Sequence, residues 1–201
     1  MQIVKPSNTV NFLAPEVLRL RPQSKLLLLY SDLESFLVSA SGKDRSFGPN
    51  LVARFQARAP TFPPLLHEPL ETHLHAAAYA WLKQVSLFDQ IIRAQGPARV
   101  RTLNSATFLA RKAETLARAG RFLGIIQSAE AWRSAAEGPL FEQHAKSPSR
   151  AFNEEARRTL HADGRAAHAH EIDAALSWTE ALAASQSLPL TLGDTLFDDP
   201  L

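Results

Sequence analysis

The stretch LETHLHAAAYAWLKQVSLFDQIIRAQGP, residues 70–97, decides the fold class. Leu70, Leu74, Ala77, Ala78, Trp81, Leu82, Val85, Phe88, Ile91 and Ile92 recur at i+3 and i+4. That spacing lays one apolar stripe along one face of an α-helix of about six turns. Gly96 and Pro97 supply a C-terminal cap and a stop.

The same period continues downstream. Asn104 or Ser105 starts a helix that buries Ala106, Leu109, Ala113, Leu116 and Ala117, with Gly120 ending or kinking it. Phe122–Ala136 reads as another helix, with Leu123, Ile126, Ala129 and Trp132 inside, closed by Gly138 and Pro139. After a polar loop around Ser147, Pro148 and Ser149, residues 152–161 and 166–184 form a second helical pair. Trp81, Trp132 and Trp178 fall on apolar stripes and read as core residues.

Upstream, Pro6, Pro15 and Pro22 make residues 1–23 an extended arm with at most short elements. From Ser24, Leu26, Leu29, Leu33, Phe36, Leu37 and Ala40 follow helical spacing, with a strand at 25–30 as the competing reading. Residues 50–59 form a short helix, and Pro60, Pro63, Pro64 and Pro69 a stiff connector. The expected fold is all-α: an irregular helical bundle of antiparallel hairpins with a Pro-rich, partly extended N-terminal region. Its parts are residues 1–64, the helical body 65–185 and an acidic tail 186–201.

Thr115–Arg121 and Thr159–Arg165 share the pattern T-L-x-x-x-G-R. Read as hairpin turns, the two glycines supply positive φ at a helix end. Helix–GR–helix loosely resembles the hairpins of tetratricopeptide-type repeats. Ala169 falls where that pattern wants a small residue, but Ile125 stands at the matching place in the first copy. The copies lie 44 residues apart, against ~34 in that family. They read as two similar hairpins.

Composition bounds the chemistry. The 201 residues hold 45% hydrophobic and 21% charged side chains, ordinary for a globular protein. No cysteine is present, which removes disulfides, thiolate metal sites and cysteine nucleophiles. The longest apolar run, Leu26–Tyr30, falls far short of the ~20 residues of a membrane span. The start carries no apolar leader segment. A cytoplasmic protein that does not enter the membrane is expected, with no cofactor.

Phosphate-binding glycine loops, the serine-nucleophile elbow and the H-E-x-x-H zinc pattern do not occur. Histidines form two groups, His67/His73/His75 and His161/His168/His170. Imidazole with carboxylate suits zinc or iron. However, His73 and His75 are two apart, as are His168 and His170, so on a helix they point apart. Glu154–Glu155 and Asp198–Asp199 are adjacent acids that diverge rather than pair.

Charge distribution is the strongest functional signal. From Arg93 to Arg121 run Arg93, Arg99, Arg101, Arg111, Lys112, Arg118 and Arg121 against Glu114 alone. The last seventeen residues carry Asp194, Asp198 and Asp199 and no cation. The basic segment is expected to hold nucleic-acid phosphates or an acidic protein. The expectation is a non-catalytic helical adaptor or accessory subunit with a protein partner, in a nucleoprotein complex if the phosphates are its ligand. The alternatives are a metal-dependent enzyme using the histidine groups and a purely protein-binding scaffold or chaperone. Enzymatic activity and oligomeric state stay open.

Overall fold

The computed structural model describes residues 3–58, 72–144, 147–151 and 153–198. The Pro60–Pro69 connector and His67 lie outside them. Among the described residues are nine α-helices. The long central helix is α4, His73–Gln95, closed by Gly96 at φ 71°. Before it come α1 (Ala14–Leu20), strand β1 (Leu26–Tyr30), α2 (Leu33–Ser41) and α3 (Phe47–Arg58). After it come β2 (Val100–Asn104), α5 (Ser105–Ala110), α6 (Lys112–Leu123) and α7 (Ala129–Ala136). A short antiparallel pair, β3 (Gln143–His144) and β4 (Ser147–Ala151), precedes α8 (Glu154–Ala167) and α9 (Ala169–Gln186). Short 3-10 helices lie at Asn8–Leu13, Pro139–Phe141 and Thr195–Phe197.

The all-α expectation is corrected here: the chain is mostly helical, with β1 and β2 paired in parallel from Leu26↔Val100 to Tyr30↔Asn104. The helix expected from Ser24 begins only at Leu33. Asp32 caps it, its carboxylate accepting from the Ser35 N–H at 2.7 Å. Leu28 and Tyr30 are buried while Leu29 between them is exposed, the alternation of a strand. A five-residue apolar run carries no period of its own. The partner that makes it a strand lies about seventy positions along, between the Gly96–Pro97 stop and the helix start at Asn104.

Further helix boundaries differ. The single helix expected at Phe122–Ala136 is interrupted, because Gly124 takes the left-handed conformation and Ile125 donates to the Gly120 carbonyl. Ile126, expected inside, is 95% exposed. Arg111 (φ −129°, ψ 46°) separates α5 from α6. The 147–149 loop is strand β4.

The glycines of the T-L-x-x-x-G-R segments do not turn the chain. Gly120 lies inside α6 and Gly164 inside α8. A Cβ on Gly120 would sit 2.4 Å from Cζ2 of Trp132, and one on Gly164 3.2 Å from Val38. They are glycine for close packing. The turns fall at Gly124 and at His168.

α4 organises the core. α2, α3 and α9 pack on it, burying Leu37, Leu74, Leu82, Val85, Ile172 and Ala175. The Trp81 indole N–H donates to the Ser31 carbonyl at 2.9 Å and ties α4 to the end of β1. A second cluster (Leu18, Leu28, Tyr30, Phe88, Ile91 and Val100) joins α1 and the strands to the far end of α4. The strand pair thereby fixes where α5, α6 and the tail can meet.

Candidate interaction surface

β2 has two edges. β1 takes one, and the segment Gly193–Asp198 lies along the other. The Thr102 N–H donates to Thr195 Oγ1 at 2.9 Å, and the Thr195 N–H returns to Thr102 Oγ1 at 3.2 Å. The Asn104 N–H donates to the Asp194 carboxylate, whose other oxygen accepts from the Thr107 hydroxyl. Tail side chains thus serve strand donors that a further strand would otherwise take. Leu196 is buried, and Tyr30 donates its hydroxyl proton to the Gly193 carbonyl at 3.1 Å.

Phe197 meets α6. The Arg111 and Arg118 guanidinium carbons lie 4.3 and 4.9 Å from its ring centre. A guanidinium plane over an aromatic face is worth about 0.5–1 kcal/mol where exposed and more where water is excluded. Glu114 organises the pair: its two oxygens accept from Arg111 Nε at 2.8 Å and Arg118 Nε at 2.9 Å. The spacing i−3 and i+4 puts all three on one helical face. Arg101, buried beneath, donates from Nη1 to the Thr195 carbonyl at 2.8 Å.

Of the seven basic residues, Arg101, Arg111 and Arg118 therefore gather around the tail. Arg99 bridges elsewhere, donating to Gln95 and to the Leu18 carbonyl, so it holds α1 against the start of β2. Arg93 pairs with Asp89 on the exposed side of α4. The Lys112 ammonium sits 5.4 Å from the Phe141 ring centre, and Arg121 is exposed. The sequence reading missed Thr102, Thr107 and Thr195, and saw Asn104 only as a helix cap; their donors and acceptors here matter only once the β2 edge exists.

The histidines among the described residues do not converge. His75 is 2% exposed, bonded to the Thr72 hydroxyl through Nδ1 at 2.9 Å and edge-on to Trp178. His161 and His170 are exposed, and His168 sits at the α8–α9 break. Among the described residues no group of three or more His, Asp or Glu is placed to hold a metal ion. No helix of the described residues is long and apolar enough to cross a membrane. A small cavity of ≈130 Å³ lies beside Tyr30, Trp81 and Phe88. The Asn11 and Gln84 amides at its wall are bonded to one another.

The hydrogen bond from Arg118, with Arg111 adding to it, holds the Glu114 carboxyl below its ordinary value of 4.5. A lowered folded-state pKa means that this contribution to stability is complete above the ordinary value and is lost as pH falls through the lowered one. Carboxyl NMR is expected to show Glu114 titrating below 4.5. Glu114→Gln is expected to remove that part of the acid limb of the stability curve.

Comparison of the chain with protein-family models, with curated proteins and with solved structures found no match. The class is accordingly the one the fold defines: a mostly helical protein with a parallel strand pair.

Proposed function

We propose that this protein is a non-catalytic adaptor or accessory subunit acting by surface contact, with β2, α5 and α6 as the contact face and an acidic protein segment as the ligand. One observation carries the reading: an acidic, aromatic segment of protein already lies on that face, against Arg101, Arg111 and Arg118. Guanidinium groups over an aromatic ring, backbone donors and a carboxylate together describe peptide recognition better than phosphate neutralisation. The helical body is the rigid support. The packing of α6 with α7 favours the reading of that pair as a hairpin, whereas α8 packs on α2 and α9 on α4. The metal-enzyme alternative draws no support from the placement of the described histidines. A cytoplasmic location suits a cysteine-free chain of this kind.

The test compares Phe197→Ala, which loosens the tail, with the same variant carrying Arg111→Glu and Arg118→Glu. Each is titrated with poly-glutamate and with single-stranded DNA of equal charge at low and high salt. Phe197→Ala is expected to prefer poly-glutamate and to lose at least about tenfold in affinity on charge reversal, since a charged contact is commonly worth 1.4 kcal/mol or more. Preference for the DNA, with a steep salt dependence, would move the reading to a nucleoprotein complex. Binding of neither probe would end it.

A further inference from the structure

The tail contacts form an ordered set. Along Asp194-Thr195-Leu196-Phe197-Asp198, each of the first four side chains meets a different feature of the face. The carboxylate takes the Asn104 N–H and the Thr107 hydroxyl. The threonine exchanges bonds with Thr102, and its carbonyl takes Arg101. The leucine is buried, and the phenyl ring lies against Arg111 and Arg118. Asp198 follows in an exposed position beyond the arginine pair. Every donor and cation in this set belongs to the body of the protein: two strand N–H groups, a helix hydroxyl and three guanidinium groups. Glu114 holds two of the three in place. The ligand arrives on a short connection after α9, whose C-cap Ser187 takes the left-handed conformation.

Resting on the proposed adaptor reading, we infer that this face is a sequence-reading peptide site. Its partner ligand is a segment of the order acidic–Thr–aliphatic–aromatic, and residues 194–197 of the chain itself occupy it as an internal competitor. The order follows from the receptor. The Asn104 N–H and the Thr107 hydroxyl, both donors, select a carboxylate at the first position. The exchanged threonine bonds need both a hydroxyl and a backbone N–H at the second. A buried position takes the aliphatic side chain, and the two guanidinium groups over the ring select an aromatic side chain at the fourth. The internal copy sits at an effective concentration set by its short linker, of millimolar order, so a partner must compete with it.

The experiment uses the full chain and the full-length double variant Asp194→Ala, Phe197→Ala. Both are titrated with a fluorescent peptide of residues 193–201 (GDTLFDDPL), with a scrambled peptide of the same composition and with poly-glutamate. The double variant is expected to bind the ordered peptide at least about tenfold more tightly than the full chain does, because its internal competitor is weakened. The scrambled peptide is expected to bind at least about tenfold more weakly than the ordered one. Phe197→Ala alone, which keeps the Asp194 bonds, gives the same direction if the double variant does not fold. Equal affinity of full chain and variants overturns the internal competition. Equal affinity for ordered and scrambled peptides overturns the sequence reading. If poly-glutamate still binds in that case, and does so through Arg111 and Arg118, the adaptor reading stands alone; if no acidic probe binds, both fall. A full chain that runs as a dimer and dissociates on adding the peptide places the tail on a second copy, which also overturns the internal competitor.

Discussion

Replacing Gly48 with alanine is expected to cost about 3 kcal/mol, near the upper end of what an overpacked contact costs. Gly48 lies in the first turn of α3, pressed against the first turns of α4. A Cβ there would stand 2.0 Å from the His73 carbonyl oxygen and 2.8 Å from the Ala77 nitrogen. Both are backbone atoms of a helix, so neither can rotate aside. The methyl fits only if α3 and α4 separate, which opens the cluster of Val52, Phe55, Ala76, Tyr79 and Ala80. The helical preference of alanine over glycine returns at most about 1 kcal/mol, so the clash decides the sign. Gly42→Ala is the control: nothing lies within 4 Å of its Cβ position and its φ is −78°. It is expected to stay within about 0.5 kcal/mol of the parent or to gain slightly. Urea unfolding of both variants measures the difference. Equal midpoints would show that the two helices do not meet at Gly48.

Leu82→Ala is expected to cost about 3–5 kcal/mol, the range for deleting a fully buried leucine side chain from a core that relaxes only partly. Leu82 has no solvent exposure and belongs to the cluster shared by α2, α4 and α9. Leucine and alanine differ little in helix propensity, so the loss reports packing rather than α4 itself. Against a typical total stability of about 5–15 kcal/mol, such a loss leaves a marginal protein. Leu160→Ala supplies the comparison. Leu160 is 55% exposed on α8, and its loss is expected to stay within about 0.5 kcal/mol. A denaturation series in which the two leucines cost the same would contradict the placement of the core.

Much of the candidate surface was visible as composition before it was visible as geometry. The run of cations from Arg93 to Arg121 and the cation-free tail stand out in the sequence, and opposite charge draws such segments together. Which cations take part did not follow. Arg93, Arg99 and Arg118 look alike in a charge count. Yet Arg93 pairs with Asp89, Arg99 clamps α1, and Arg118 lies over Phe197. Lys112 adjoins Arg111 in sequence and turns to Phe141 instead. Charge is a property of the residue, whereas its use depends on which surface the fold brings within a few ångströms.

The sequence by itself determined α4, because an i+3/i+4 stripe and a Gly-Pro stop are local signals that no other element has to complete. The N-cap at Asn104 and the absence of thiol and glycine-loop chemistry were local in the same sense. Only the tertiary structure decided that Leu26–Tyr30 is a strand, since a parallel pair exists only with its distant partner at Val100–Asn104. It also decided that Gly120 and Gly164 serve close packing instead of turning the chain. A glycine's neighbours in space, not in sequence, choose between those uses. The docking of the tail belongs to the same class. The donors that hold Asp194 and Thr195 become available only when β2 forms with β1 on its other side.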